Sequence, residues 1–271
     1  MAQQTGAAHR PTRADVALVE RGVVRSRALA QRLIEAGAVE LVSGGLPMPV
    51  TRSAQPVLPA DELKVRQSAE SRFASRAGAK LAAALAEAGI DCAGLAVLDV
   101  GMSTGGFTDC VLDAGAASVT GIEVGHGQLD PRLAADARVT CLEKTHVRDV
   151  TPAWLAERGE PSAFDLLVSD LSFISSIGLL GHLAALARPG AALLMLVKPQ
   201  FELGPDARDG KGVVRPGADL DGLRSRALAS AAAGGWEHCA WFRSALPGSD
   251  GNQEYFLAAR RKPSLPVSVT S

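Results

Sequence analysis

Two lysines and two acids stand at positions from which they could deprotonate a weakly acidic hydroxyl group. Asp170 and Lys198 each directly follow an apolar run of strand length, Glu254 begins the last such run, and Lys80 precedes the first. Open α/β sheets bind ligands at the carboxyl ends of their strands, so these residues could share one crevice. A lysine partly withdrawn from water has a lowered pKa, which makes Lys198 a candidate general base.

Each of these residues also has a simpler interpretation. A lysine at a strand end can extend into water, and an acid at a strand end can be merely solvated. As a set, however, two lysines alternating with two acids favour the chemical interpretation. The acids would orient one lysine, and the other lysine would grip the incoming oxygen or a neighbouring phosphate.

A turn of small residues marks a second candidate site. The apolar strand at 96–100 leads into the turn 101–106 (GMSTGG), which opens a helix. Strand, turn and helix in this order present backbone N–H groups to a nucleotide-like ligand, although the glycine spacing is not that of the dinucleotide fingerprint. Glu123 follows the next strand, where a carboxylate can accept hydrogen bonds from ribose hydroxyls. The alternative is a tight structural turn beside an exposed acid.

The candidate ligand-binding residues surround these strand ends. His146 follows a further strand, where a nucleobase could stack, and Asp170 belongs to both candidate sets. The full set is Asp99, Gly101, Ser103, Thr104, Gly105, Gly106, Phe107, Glu123, Val124, His146 and Asp170.

The cysteines give no indication of a metal site. Cys92, Cys110, Cys141 and Cys239 lack the paired spacing of a zinc site. His238 adjoins Cys239, but adjacent residues of a strand point to opposite faces. We therefore expect no metal and expect reduced thiols, as in a cytoplasmic protein.

The pattern of elements predicts an α/β fold. The chain has 271 residues, 47% of them hydrophobic and 21% charged, which suffices for a medium domain and a smaller one. Strands alternating with helices predict a mostly parallel sheet. The longest apolar run is too short to span a bilayer, and residues 1–12 lack the apolar core of a signal peptide. Beyond 96–100, the predicted strands are 118–124, 139–142, 164–169, 191–197, 237–246 and 254–260, and the predicted helices include 75–88, 106–114 and 176–187.

The first quarter of the chain predicts a small separate module. Apolar positions have helical spacing in two segments, with Ser26 as N-cap of the second and Gly37 just past its end. Short strands are expected at 39–42 and 57–65. From Arg10 to Arg76, eleven Lys/Arg outnumber seven Asp/Glu, although the net charge of the whole chain is -1. This basic stretch indicates a polyanionic partner; the alternative is solvated arginine-rich helix faces.

Four motifs and the N-terminal module together resemble the TlyA/hemolysin-A family, and the resemblance covers residues 13–260. The stretch from Arg13 to Val39 is similar to an S4-like RNA-binding motif. The four motifs are 103–108 (STGGFT), 169–175 (SDLSFIS), 198–202 (KPQFE) and 251–256 (GNQEYF).

The resemblance implies a 2′-O-methyltransferase that acts on cytidines of ribosomal RNA and uses S-adenosylmethionine. The Lys-Asp-Lys-Glu tetrad of such enzymes falls on Lys80, Asp170, Lys198 and Glu254. By this analogy Lys198 is the base for the ribose hydroxyl, the two acids tune it, and Lys80 aligns the target. The protein's contribution to the transfer is the alignment of donor and acceptor.

The resemblance also implies the domain organisation. A disordered lead (1–12) precedes an S4-like α+β domain (13–66), a linker (67–74), an FtsJ-like methyltransferase domain (75–262) and a flexible tail (263–271). The larger domain is expected to be Rossmann-like, with a class I methyltransferase sheet that is mostly parallel and has an antiparallel last strand. The implied partner is ribosomal RNA or a ribosomal subunit, with no membrane involved. The implied RNA contacts are Arg13, Arg21, Arg25, Ser26, Arg27 and Arg32.

The chain departs from the family pattern in three places. Glu123 stands where the family usually has aspartate, and 73–80 reads FASRAGAK where a V-S-R-G-G sequence is common. Few residues follow Arg261, whereas members that act on both ribosomal subunits tend to carry an extra C-terminal helix. We therefore expect 23S rather than 16S rRNA as the substrate.

Two other functions stay open. One is a non-catalytic RNA-binding or ribosome-assembly factor that keeps the cofactor fold as a scaffold; the complete tetrad argues against it. The other, less favoured, is the cytolysis implied by the family's hemolysin label. No amphipathic membrane helix or spanning segment in the sequence supports that function.

Overall fold

The structure of the protein is a computed structural model. It describes residues 11–24, 26–35, 37–65 and 72–263, but not the side chains of Ala28, Arg32, His238 and Cys239. The chain divides into two compact units, of which the first ends at Ser75 and the second begins at Arg76. Among the described residues, no helix combines the length and apolar character that crossing a membrane requires.

The first unit is a small α+β module with its own core. A three-stranded antiparallel sheet has the order β3-β2-β5, and β1 pairs with β4. Leu18, Leu33 and Val39 are almost fully buried between the helices and this sheet. The elements are β1 (Thr12–Arg13), α1 (Ala14–Glu20), α2 (Arg27–Glu35), β2 (Val39–Ser43), β3 (Leu46–Pro49), β4 (Pro56–Val57) and β5 (Glu62–Val65).

Local signals set the ends of these elements. Ser26 Oγ accepts a hydrogen bond from the Leu29 backbone N–H at 3.2 Å, which confirms it as the N-cap of α2. Gly37, just beyond α2, has a φ of 66°, as the residue after a helix commonly does. The prediction of one strand over 57–65 was wrong, because a turn separates β4 from β5. Asp61 stabilises this turn by accepting a hydrogen bond from the Leu58 N–H at 2.8 Å.

The second unit alternates strands and helices. Three short 3₁₀ helices, at Val147–Asp149, Ile177–Leu179 and Pro205–Ala207, lie between the longer elements. Those elements are α3 (Arg76–Ala88), β6 (Ala96–Val100), α4 (Gly106–Asp113), β7 (Ser118–Ile122), α5 (Pro131–Ala134), β8 (Val139–Leu142), α6 (Pro152–Ala156), β9 (Phe164–Ser169), α7 (Leu180–Ala185), β10 (Ala187–Val197), α8 (Pro199–Glu202), α9 (Leu220–Ala233), β11 (Trp236–Arg243) and β12 (Tyr255–Arg261).

The described strands of this unit form a seven-stranded sheet in the order β11-β12-β10-β9-β6-β7-β8. Strands β6 to β10 pair in parallel, whereas β12 runs antiparallel to β10 and to β11. This confirms the predicted α/β class with a mostly parallel sheet and an antiparallel last strand. The chain proceeds from β6 outward to β8 and then returns to the other side of β6 at β9. Ligands of such sheets bind where the strand order reverses.

Several boundaries differ from the predicted ones. The helix predicted over 176–187 is a 3₁₀ turn followed by α7, and β10 begins at Ala187 with a register irregularity before Ala192. Helix α9 was not predicted. Its buried positions are Leu223, Ala227 and Ala231, and two small alanines out of three give a weak apolar stripe in the sequence.

Candidate active site

A cavity of about 500 Å³ opens at the carboxyl ends of β6, β7 and β9. Six of the eleven predicted ligand-binding residues line it, together with the segment 171–174 of the motif 169–175 and with Gln128 and Thr145, which were not predicted to bind a ligand. The six are Gly101, Ser103, Glu123, Val124, His146 and Asp170.

The turn after β6 can form only with glycine at its start. Gly101 has a φ of 90°, and a Cβ atom there would lie 2.9 Å from the Asp170 carbonyl oxygen. The N–H groups of Gly101 and Met102 both donate to the Ile122 carbonyl, at 2.9 and 3.2 Å. The glycine therefore lets the segment after β9 approach the turn closely, which brings Asp170 to the cavity.

Glu123 fixes the shape of the cavity wall with both of its carboxylate oxygens. Oε2 accepts from the Ser103 N–H at 2.8 Å, and Oε1 accepts from the Gly125 N–H at 2.7 Å. Ser103 itself has a φ of 47°, a left-handed conformation that this contact helps to hold. Each oxygen retains a second lone pair. Glu123 can therefore organise the turn and still accept a hydrogen bond from a ligand hydroxyl.

Five predicted ligand-binding residues do not line the cavity, and four of them are buried behind it. Asp99 is fully buried, and its Oδ2 accepts a hydrogen bond from Thr108 Oγ1 at 2.7 Å. Burial raises the pKa of Asp99 to about 7, against the lowering effect of that hydrogen bond. The carboxylate therefore ties β6 to α4. Sequence patterns place it near the cavity but do not show that its side chain is buried.

The residues from Gly105 to Phe107 pack the start of α4, whereas Thr104 is exposed. Gly105 has a φ of 86°, and a Cβ there would overlap the side chains of Leu129 and Leu133. Phe107 is buried, with its ring centroid 6.3 Å from that of Phe256. Gly105, Gly106 and Phe107 are thus buried behind the cavity wall and hold the turn in place.

The sheet brings the four charged residues together at the same edge. Val197 pairs with Tyr255 across β10 and β12, and Met195 pairs with Ser169 across β10 and β9. The residues that adjoin these positions are therefore neighbours: Lys198, Glu254 and Asp170. Lys80 reaches the same edge from α3.

These four side chains form two ion pairs with different environments. Lys80 Nζ donates to Glu254 Oε2 at 2.6 Å, and both side chains are less than a tenth exposed. Lys198 Nζ lies 2.7 Å from Asp170 Oδ1 and donates to Ser172 Oγ at 2.8 Å. Burial raises the pKa of Glu254, although Lys80 and Lys198 both act to lower it. The Lys80–Glu254 pair is the more deeply buried of the two, and the Lys198–Asp170 pair is the more exposed one.

A second cavity, of about 350 Å³, lies on the other side of the exposed pair. Lys198 and Glu254 line it, and Ser172 and Phe173 line both cavities. Phe173 is 86% exposed, has a φ of 67°, and its ring centroid lies 5.1 Å from that of Phe201. A ligand in the first cavity and a ligand in the second would therefore meet beside Lys198.

Other residues of the second cavity were missed by the sequence analysis: Gln200, Phe201, Arg208, Gly212, Ser249 and Asp250. Gln200 and Phe201 lie within the motif 198–202, which was noted for its lysine. The others lie on irregular segments, which have no periodicity to reveal them.

The predicted RNA contacts of the first unit have intramolecular partners. Arg13 and Arg27 both pair with the buried carboxylate of Asp15, at 2.9 and 3.0 Å, and each remains at least half exposed. Arg21 donates to the carbonyls of Leu58 and Asp61. Hydrogen bonds from Arg13 hold the pKa of Asp15 well below its usual range, although burial opposes this. Arg25 and the Arg32 side chain lie outside the described residues.

The sheet and the cavity define the class of protein. A mostly parallel sheet with one antiparallel strand, and a ligand-sized cavity where the strand order reverses, is a Rossmann-like methyltransferase fold. Residues 73–261 match the FtsJ-like methyltransferase model, and the chain belongs to that family.

Relatives and a solved structure agree with this assignment and confirm the predicted resemblance. The chain is 40% identical over 266 residues to the 16S/23S rRNA (cytidine-2′-O)-methyltransferase TlyA of Mycobacterium tuberculosis, covering 96% of this chain and 94% of that protein. It is 34% identical over 201 residues to the 23S rRNA (cytidine-2′-O)-methyltransferase TlyA of Campylobacter jejuni, covering 74% and 75%. A Streptococcus thermophilus structure, provisionally named a hemolysin, matches with a TM-score of 0.70 and 30% identity, covering 97% and 94%.

Proposed function

We propose that this protein transfers a methyl group from S-adenosylmethionine to the ribose 2′-hydroxyl of a cytidine in ribosomal RNA, 23S rather than 16S. The observation that carries the proposal is the Lys198–Asp170 ion pair, which stands where two cavities meet. The names of the two TlyA relatives support RNA as the substrate. A ribosomal substrate would place the enzyme in the cytoplasm.

The first cavity suits S-adenosylmethionine. Its volume of about 500 Å³ is within the usual range for small-molecule sites. Glu123 offers lone pairs to ribose hydroxyls, and the apolar side chains of Ile122 and Val147 offer a surface to a nucleobase. When bound, the cofactor supplies an activated methyl group on a positively charged sulfur.

The charged residues divide the work on the acceptor. Lys198 in its neutral form would take the proton of the 2′-hydroxyl, so that the oxygen could bond to the methyl carbon while the carbon–sulfur bond breaks and S-adenosylhomocysteine leaves. Asp170 and Ser172 hold the Lys198 side chain in place, at 2.7 and 2.8 Å. The buried Lys80–Glu254 pair supports this edge of the sheet. Lys80 holds Glu254 in place and in this way aligns the target ribose. Holding the reacting atoms in line supplies a large part of the rate enhancement.

The proposal is tested with purified protein, methyl-labelled S-adenosylmethionine, and large and small ribosomal subunits from cells that lack the gene. We expect label at a cytidine 2′-oxygen of the large subunit, located by nuclease digestion and mass spectrometry. Lys198→Ala should abolish transfer while calorimetric binding of S-adenosylhomocysteine stays close to that of the wild type. Lys262→Ala, which removes an exposed lysine at the end of β12, is the matched control.

Each contrary result has a distinct meaning. Label on the small subunit alone would overturn the choice of 23S rRNA. Full activity of Lys198→Ala would overturn the role of that lysine. Absence of transfer to either subunit, with intact cofactor binding, would favour a non-catalytic RNA-binding factor, and leakage of liposomes would favour cytolysis.

A further inference from the structure

The wall of the second cavity includes a residue whose hydrogen-bond acceptor has no partner among the described residues. Gln200 lines this cavity and is only 4% exposed. Its Oε1 accepts no hydrogen bond from any described residue. Buried polar atoms are nearly always hydrogen-bonded, so an unsatisfied one at a cavity wall points to a ligand.

The neighbours of Gln200 fix which end of its amide is the acceptor. Gln200 Nε2 donates to Asp250 Oδ2 at 3.3 Å. Burial would raise the pKa of Asp250, but hydrogen bonds from Asn252 and Gln200 outweigh it and hold the pKa below its usual value. The ionised carboxylate only accepts hydrogen bonds. If the amide were reversed, its oxygen would face a carboxylate oxygen, so Oε1 must be the free end.

Asp250 is itself held rigidly. The Asn252 N–H and Nδ2 donate to its two oxygens at 3.1 and 2.8 Å. Asn252 is 2% exposed, accepts from the Val214 N–H at 2.8 Å, and donates to the Gly212 carbonyl at 3.1 Å. This chain of contacts keeps the Gln200 amide in one orientation.

The same cavity offers two further groups that a ligand could contact, a guanidinium and an aromatic ring. Arg208 is partly buried at the wall, and its guanidinium contacts no acceptor among the described residues. Phe173 presents an almost fully exposed ring beside Phe201. These groups match the parts of one nucleotide: the Arg208 cation suits the phosphate, the Gln200 oxygen suits the edge of the base, and the Phe173 ring suits its face.

We propose that Gln200 Oε1 accepts a hydrogen bond from the exocyclic amine of the target base and thereby selects cytidine over uridine. This inference rests on the proposed function, since it concerns the acceptor of the same reaction. Cytosine carries an amino donor at C4, whereas uracil carries a carbonyl oxygen there. With uridine bound, two acceptors would face each other, and a site with an unpaired polar group rejects such a substrate strongly.

The test compares two RNAs that differ only at the mapped target position, cytidine in one and uridine in the other. Single-turnover rates are measured for the wild type, Gln200→Leu, and the matched control Gln55→Leu in the first unit. We expect the wild type to prefer the cytidine RNA by about tenfold or more. Gln200→Leu should slow that RNA by a similar factor, leave the uridine RNA nearly unchanged, and bind S-adenosylhomocysteine normally. Gln55→Leu should keep the wild-type ratio.

Asp250→Ala provides a second variant that does not remove Gln200. Alanine removes the acceptor that holds Gln200 Nε2, so the Gln200 amide is free to turn and present its N–H₂ group to uridine O4. We expect the uridine rate to rise about tenfold while the cytidine rate changes little. This variant decides the question if Gln200→Leu fails to bind S-adenosylhomocysteine.

A wild-type cytidine-to-uridine ratio in Gln200→Leu, or a uridine rate that stays low in Asp250→Ala, would overturn the inference and leave the proposed function intact. Absence of transfer by the wild type to both RNAs would overturn the proposed function and this inference with it.

Discussion

At the scale of single residues, the two lysine–carboxylate ion pairs of the site differ in burial. Lys80 and Glu254 are each less than a tenth exposed, and a buried pair that loses one partner leaves an uncompensated charge. Of the more exposed pair, Asp170 lines the first cavity and Lys198 lines the second. A base must reach its substrate, so the exposed pair is suited to proton transfer and the buried pair to support.

Lys198→Arg separates the charge of this residue from its ability to accept a proton. Arginine keeps a cation beside Asp170 but is not deprotonated in proteins. We expect the rate of methyl transfer to fall by about 100-fold or more, with unchanged binding of S-adenosylhomocysteine. An arginine variant that keeps the wild-type rate would show that Lys198 acts only as a cation.

Asp99 makes stability depend on pH. Its pKa rises from 3.8 to about 7 on folding, so the folded state binds an extra proton between those values. Stability therefore falls as pH rises through this window, at up to about 1.4 kcal/mol per unit. We expect Asp99→Asn to flatten this fall, since its amide oxygen can still accept from Thr108. Urea unfolding of both proteins at about pH 5 and about pH 8 measures the difference. Parallel losses in the two proteins would contradict the assignment.

At the scale of elements, the short helix α8 fixes the segment that separates the two cavities. Glu202 Oε1 accepts from the Ser176 N–H and Oγ at 2.7 and 2.8 Å, and Oε2 accepts from Ser175 Oγ at 2.7 Å. The segment 171–174 lines the first cavity, and two of its residues also line the second. One carboxylate thus holds a wall that the two cavities share.

Glu202→Ala should loosen the segment 171–174, which forms the wall shared by the two cavities. We expect weaker binding of S-adenosylhomocysteine and a higher KM for RNA, each by about tenfold, since several charge-assisted hydrogen bonds are lost at once. Calorimetry and steady-state kinetics measure the two effects. Glu157→Ala, at an exposed position beyond α6, is the control. If the variant loses thermal stability but keeps its affinity for S-adenosylhomocysteine and its KM for RNA, Glu202 has only a structural role.

At the scale of the whole molecule, the excess of positive charge lies in the first quarter of the chain, and the candidate active site lies in the second unit. The stretch from Arg10 to Arg76 carries an excess of positive charge, whereas both cavities belong to the second unit. Arg13 and Arg27 share the charge of Asp15 but stay half exposed. They can therefore contribute to contacts with RNA phosphates as well as to the fold of the first unit.

Binding of RNA should depend steeply on salt if phosphates are contacted. Release of counterions lowers the binding constant in proportion to the number of contacts. We expect the affinity for the large subunit or its RNA to weaken by about ten- to a hundredfold between about 50 and about 200 mM salt. Arg27→Ala should lessen the slope. Filter binding across this range measures both, and an affinity independent of salt would exclude docking led by phosphates.

The sequence by itself determined the alternation of strands and helices in the second unit, the turn at Gly101 and the four charged residues. It could do so because strands of a parallel sheet end at a common edge, so a residue that directly follows a buried strand has a known place. Ser26 and Gly37 were predictable for a similar reason, since helix ends depend on local hydrogen bonds and backbone angles.

Only the tertiary structure decided which lysine pairs with which acid and which predicted residues reach a cavity. Asp99 and Phe107 lie beside the turn in sequence, yet both are buried behind it. Gln200, Arg208 and Asp250 meet at the second cavity from separate segments without a periodic pattern. Burial and long-range contacts are properties of the packed chain, and no local pattern of residues encodes them.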